Sequence, residues 1–185
     1  MLNLIVGGSA SGKSMFAENL VTAFPHSERF YIATMEIWDT ESAERAERHR
    51  LMRAGKGFTT LECPTCLDDV SVTRGSSVLL EDLSNLAANE IFSGGGSVNG
   101  DECAEAALVR IRAGLEKLLV NADMLTVVSN ELFLDGISYD AEMEVYLTVM
   151  SRLNRAIAAR ADNVYELICG LPVVWKGQKF NAEIQ

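Results

Sequence analysis

The chain has 185 residues, enough for one full hydrophobic core and too few for two. Its 48% apolar and 23% charged composition excludes wholesale disorder. A net charge of −10 argues against nucleic acid as a partner, because phosphate backbones are held by clustered Lys and Arg; nucleotides, bound by local sites, stay open.

In chain order, "LNLIVGG" is a short apolar run ending in glycines and reads as a buried strand at 2–6. "KSMFAENLVTAF" follows with apolar residues at helical spacing until Pro25 stops it, and His26 beyond it reads as a surface residue. "RFYIAT" is a second strand. A charged helix then runs from about 40 to 54, with Asp39 as N-cap and Gly55 and Gly57 past its end. "FTTLE" is the third strand and "SSVLLEDL" carries the fourth, at 77–81, followed by a helix to about 92. "SGGGSVNGDE" (93–102) reads as a flexible loop. A helix at 102–120, the strand "MLTVVSN", a long helix from about 140 to 161, "NVYELICG" and "LPVVWKG" complete the pattern. Alternating β and α elements predict one α/β domain over 1–185 with a mostly parallel sheet flanked by helices.

No apolar run reaches the roughly 20 residues that span a bilayer. "MLNLIVGGSA" lacks the basic start and long apolar stretch of a secretion signal. The expectation is a cytoplasmic protein with no membrane partner, whose Cys63, Cys66, Cys103 and Cys169 stay reduced. "CPTC" at 63–66 has no matching second pair, so burial is favoured over metal or redox chemistry.

Ligands in such folds sit outside the carboxyl ends of the strands. That rule nominates "GGSASGKS", "ATMEIW", "LEC", "EDLSN" and "SNELFLDG". The first, residues 7–14, fits G-x-x-x-x-G-K-[ST] between a predicted strand and a predicted helix, the setting that a P-loop needs. Gly7, Gly8 and Gly12 let the backbone wrap closely, with Ser9, Ala10 and Ser11 completing a cradle of N–H groups for phosphate. Lys13 reaches the β- and γ-phosphates of a triphosphate such as GTP or ATP, and the Ser14 hydroxyl holds Mg²⁺. A second acid for the metal is expected at a neighbouring strand end, where Glu81 and Asp82 stand; alternation along a strand lets only one of them face the metal.

In the charged helix, Glu41, Arg45, His49 and Arg53 recur at steps of four and share one stripe. Flanking arginines disfavour the imidazolium, keeping His49 neutral and nucleophilic near pH 7, and can hold phosphates. A neutral imidazole beside a triphosphate is a nucleophile suited to the α-phosphorus. By itself the segment equally fits a solvated, ion-paired helix.

These stretches together resemble the bifunctional adenosylcobinamide kinase/adenosylcobinamide-phosphate guanylyltransferases of cobalamin biosynthesis. The resemblance runs over nearly the whole chain: "GGSASGKS", "YIAT" followed by Asp39, Glu41, Arg45, His49 and Arg50, then "TLECP", "VLLEDLSN", "SNE", "LNRAIAARADNVY" and "GLP". It implies a P-loop NTPase-type fold and two reactions. One phosphorylates a hydroxyl of the corrinoid substrate with ATP or GTP; the other moves GMP from GTP onto that phosphate through a guanylylated histidine, His49. It also implies that Glu62 recognises guanine, that Glu81 rather than Asp82 is the site acid, and that Ile32, Ala33 and Thr34 with Arg50, Leu51, Met52 and Arg53 line the nucleotide site. A homo-oligomer, a trimer, is implied too. The chain departs from the family at Ala10 (usually Arg), at Arg53-Ala54 (usually Arg-Pro), at Glu81 (usually Asp) and through "LFLDGISYD". A P-loop kinase or nucleotidyltransferase keeping one activity, or acting on another substrate, is the alternative; a regulatory ATPase has no need of a nucleophile at position 49.

Overall fold

A computed structural model describes residues 1–25, 28–37, 39–92, 100–132 and 139–180, without the side chains of Glu41, Arg45, Arg48, His49, Met52 and Asp101. His26 and most of the glycine-rich 93–102 stretch lie outside the described residues. Thirteen elements are described: β1 (Leu2–Gly7), α1 (Lys13–Ala23), β2 (Arg29–Ala33), α2 (Thr40–Arg53), β3 (Phe58–Glu62), a 3₁₀ turn (Leu67–Asp69), β4 (Ser77–Glu81), α3 (Leu83–Phe92), α4 (Gly100–Asn121), β5 (Met124–Asn130), α5 (Ala141–Arg160), β6 (Asn163–Ile168) and β7 (Leu171–Lys176). Each strand and helix expected from the sequence is present, with ends shifted by a residue or two.

The strands form one sheet in the order β3-β2-β4-β5-β1-β6-β7. All neighbours pair in parallel except β6 with β7, the antiparallel edge. The central β4 and β5 are buried almost throughout, as parallel strands covered by helices on both faces must be. One face packs Phe16, Leu20 and Val21 of α1 against Ile5, Tyr31, Leu79 and Val128. The other packs Leu83, Ile111, Leu118 and Leu153 of α3, α4 and α5 against Leu4, Ile32, Leu80 and Val127. Period-two alternation therefore assigns Tyr31, Leu79 and Glu81 to the α1 face of the sheet, and Ile32 and Leu80 to the α3 face.

α2 begins where expected. Asp39 Oδ1 accepts from the Ser42 backbone N–H at 2.7 Å and Ser42 Oγ accepts from the Asp39 N–H at 3.0 Å, a reciprocal capping box. Gly55, at φ 84°, carries the chain out of the helix. "CPTC" has a structural role. The Cys63 thiol is buried and donates to the Thr65 carbonyl at 3.2 Å; burial pushes it up to about 11. The Cys66 N–H donates to Glu90 Oε1 at 2.6 Å, and Glu90 is paired to Arg110. Among the described residues no cluster of three or more His, Cys, Asp or Glu is placed to hold a metal ion. Nor, among them, is any helix long and apolar enough to cross a membrane.

Candidate active site

All five nominated strand ends converge on one cleft at the carboxyl edge of the sheet. Ser9, Ala10, Lys13 and Ser14 enter from the P-loop and the start of α1. Tyr31 and Ala33 come from β2 and Thr34 and Met35 from the segment that follows it, Glu62 from β3, Glu81, Asp82 and Asn85 from the β4–α3 junction, and Asn130 from β5. Ala46, Arg50 and Arg53 come from α2, which covers the same side.

The P-loop has the curvature that its glycines permit. Gly12 sits at φ 90° and Ala10 at φ 55°. Gly7 has no room for a side chain: a Cβ there would stand 2.6 Å from Ser11 Oγ and 2.9 Å from the Leu167 carbonyl oxygen. The Gly170 N–H donates to the Ser11 carbonyl at 2.9 Å, so the β6–β7 turn props the loop from behind. Lys13 is buried and its Nζ donates to the Gly8 carbonyl at 3.1 Å, holding the ammonium over the cradle. Gly8, Ser9 and Ala10 are exposed at the mouth.

The structure distinguishes the two acids. Ser14 Oγ donates to Glu81 Oε1, while Glu81 Oε2 is buried without a hydrogen-bond partner. Burial pushes the Glu81 carboxyl up from an ordinary 4.5 to about 7, and Asp82 and Glu18 add to the shift; the Ser14 hydrogen bond and Lys13 oppose it. Asp82 is engaged elsewhere. Its Oδ1 accepts from the Ser84 N–H and hydroxyl, both at 2.6 Å, and its Oδ2 accepts from Asn130 Nδ2 at 2.7 Å. Both acids nevertheless reach the cleft, because it straddles the end of β4 and takes in side chains from either face of the sheet. A hydroxyl and a carboxylate with one orphaned buried oxygen fit Mg²⁺, which binds few protein oxygens and completes its shell with phosphate and water.

On α2, Arg53 is buried, and its guanidinium carbon lies 3.7 Å from the centroid of the Tyr31 ring. Arg53 Nε has no hydrogen-bond partner among the described residues, although the stacked fork opens on the cleft. Arg50 is exposed and pairs with Glu47 at 2.6 Å and with Glu62 at 3.4 Å. Ala46, Arg50 and Arg53 all line the cleft, so the helical period puts position 49 on the same stripe, three residues after Ala46 and four before Arg53. The side chains of His49 and Met52 lie outside the described atoms.

Two expected residues do not come to the cleft. Ile32 is fully buried among the α3-face apolar residues, because alternation turns it away from Tyr31 and Ala33. Leu51 is 66% exposed, because a helix position two before Arg53 faces another direction. Thr34 is at the site, but its hydroxyl is spent on the residue that follows β4: it donates to the Asp82 carbonyl at 2.8 Å and accepts from the Asp82 N–H at 2.7 Å. Sequence reasoning singled out neither Tyr31, hidden in an apolar strand, nor Asn85 and Asn130. The two asparagines did fall inside nominated strand ends, which was the available signal.

A family model described as cobinamide kinase / cobinamide phosphate guanyltransferase matches residues 3–175. The chain is 30% identical over 181 residues to the bifunctional adenosylcobalamin biosynthesis protein CobU of Escherichia coli, covering 94% of this chain and 98% of that protein. It is 31% identical over 180 residues to the bifunctional adenosylcobalamin biosynthesis protein CobP of Pseudomonas aeruginosa, covering 96% and 99%. Among solved structures, an ATPase of the type III secretion system of pathogenic bacteria superposes with a TM-score of 0.50 at 13% identity, over 94% of this chain and 56% of that one. This last likeness concerns the fold alone.

Proposed function

This chain belongs to the cobinamide kinase / cobinamide phosphate guanyltransferase family, and from that premise we propose that its one cleft carries out both transfers on a corrinoid acceptor. The observation that supports this reading is the stripe of Ala46, Arg50 and Arg53 of α2, which lines the same cleft as Ser9, Lys13 and Ser14 of the P-loop and shares the helical period of position 49.

In the kinase step the P-loop N–H groups and Lys13 hold the β- and γ-phosphates of ATP or GTP. The acceptor hydroxyl oxygen attacks the γ-phosphorus and forms the new O–P bond. The bond from that phosphorus to the β,γ-bridging oxygen breaks, the nucleoside diphosphate leaves, and the hydroxyl proton passes to solvent. Ser14 and Glu81 are the residues that would hold Mg²⁺, which when bound neutralises charge on the phosphate oxygens.

In the guanylyl step an imidazole nitrogen of His49 attacks the α-phosphorus of GTP, an N–P bond forms, and pyrophosphate leaves. A phosphate oxygen of the phosphorylated acceptor then attacks the same phosphorus, and the N–P bond breaks to return the histidine. Arg53, stacked on Tyr31, would hold phosphate oxygens. Glu62 would accept from the guanine ring N–H and amino group, donors that adenine does not present together. Residues 1–185 act as one domain in this reading, located in the cytoplasm. A homo-oligomer, a trimer on the family resemblance, belongs to the same reading, and the exposed Leu171, Val173 and Trp175 along one face of edge strand β7 offer an apolar surface for self-association.

The test is incubation with α-labelled GTP and Mg²⁺. Acid-labile, base-stable label on the protein, lost in His49→Ala, is expected. An unlabelled wild-type chain that binds GTP would overturn the guanylyl step, and label surviving in His49→Ala would reassign the nucleophile.

A further inference from the structure

Once the P-loop, Ser14, Glu81 and the α2 arginines are assigned to nucleotide, one wall of the cleft is left. Asp82, Asn85 and Asn130 form it, where the cleft passes over the end of β4 toward α3. We propose that Asn85 and Asn130 form the acceptor subsite, and that it serves the alcohol in the first transfer and its phosphate monoester in the second. This rests on the two-transfer reading above.

The arrangement is built. Asn130 Nδ2 donates to Asp82 Oδ2 at 2.7 Å and to Ser84 Oγ at 2.5 Å, which orients the amide and leaves its Oδ1 without a partner among the described residues. Tyr146 of α5 donates to the Ser84 carbonyl at 3.3 Å, bracing the same corner. Asn85, half-buried in the first turn of α3, lines the cleft, and its side-chain amide has no hydrogen-bond partner among the described residues. The Asp82 carboxylate, by contrast, is spent on Ser84 and Asn130.

The chemistry of the two transfers explains why amides would stand here. The acceptor oxygen is a hydroxyl donor in the first reaction and part of a phosphate dianion in the second. A carboxylate suits the first and repels the second; a lysine does the reverse. The Asn85 amide can accept from the O–H with its oxygen and donate to the phosphate with its nitrogen, so one neutral side chain serves both states, while Asn130, both of whose N–H groups are taken, offers its oxygen to the alcohol. Both reactions can then use one acceptor position while the nucleotide presents its γ- or its α-phosphorus.

The experiment measures acceptor KM in each step separately, with cobinamide and with cobinamide phosphate, for wild type, Asn85→Ala and Asn85→Asp. Asn85→Ala is expected to raise both acceptor KM values about two- to tenfold, the loss of one hydrogen bond, with the nucleotide KM moving much less. Asn85→Asp is expected to raise the KM for the phosphate by about tenfold more than that for the alcohol, through like-charge repulsion. Labelling of the protein by α-labelled GTP, which needs no acceptor, is measured alongside, and a loss of labelling as large as the rise in acceptor KM would place Asn85 on the nucleotide and overturn the subsite. Unchanged acceptor KM values in Asn85→Ala, or an Asn85→Asp effect equal in the two steps, would overturn the subsite. A wild-type chain that binds GTP yet transfers neither group would overturn the two-transfer reading itself.

Discussion

Ser14 Oγ hydrogen-bonds Glu81 Oε1, joining the first turn of α1 to the end of β4, two strands away from β1 in the sheet. A small hydroxyl and a buried carboxylate are held together at the point where the phosphate cradle meets the neighbouring strand ends. Burial is costly for that carboxylate and raises its proton affinity to about 7. In the metal-free protein the folded state therefore binds the Glu81 proton more tightly than the unfolded chain does. Stability should fall as pH rises from about 4.5 through about 7. Glu81→Gln should remove that slope and raise stability at alkaline pH by at most about 3 kcal/mol, while abolishing Mg²⁺-dependent nucleotide binding. Thermal melts in chelator on either side of neutrality would check the sign.

Lys13 is buried against the loop that it serves, with Nζ over the Gly8 carbonyl. Lys13→Ala should weaken triphosphate binding by about ten- to a hundredfold, the worth of a charged hydrogen bond, with the fold retained. Calorimetric titration with GTP, alongside circular dichroism, separates the two effects.

Gly7→Ala should also cost nucleotide binding, but through packing rather than charge. Its Cβ would meet Ser11 Oγ and the Leu167 carbonyl, and the second is backbone of β6 that cannot retreat without moving the strand. A stability loss of about 1–3 kcal/mol and loss of nucleotide binding are expected, read from denaturant midpoints and GTP titration.

Arg53 depends on its planar face. Arg53→Lys keeps the charge but loses the stack on Tyr31, and GTP affinity should drop by about three- to thirtyfold. Tyr31→Phe should cost less, because the ring platform survives. Equal losses for the two variants would mean that the phenol, not the ring, holds the arginine.

Lys56 pairs with Glu18, a buried carboxylate on α1, and ties the turn after α2 to the P-loop helix. Lys56→Met leaves that charge uncompensated and should destabilise by about 2–4 kcal/mol, moderated by the partial exposure of the lysine. Adding Glu18→Gln should restore much of the loss, which a double-mutant cycle by chemical denaturation would measure.

The order of elements, the phosphate cradle and the five strand ends at the site were all legible in the linear chain. Each rests on local rules: a period of two or 3.6, a cap at Asp39, glycines around a lysine. The division of labour between Glu81 and Asp82 was not legible from the residues themselves, and only the family resemblance pointed to Glu81. Both are acids on one strand end, and only the position of Ser14 on one face and of Ser84 and Asn130 on the other assigns them. The same holds for Tyr31, an unremarkable strand residue until Arg53 folds over it, and for Ile32 and Leu51, which share their neighbours' segments but not their direction. Residue type and spacing determine what chemistry a segment can offer. Which groups meet is decided by sheet order and by the docking of α2, contacts between segments far apart in the chain.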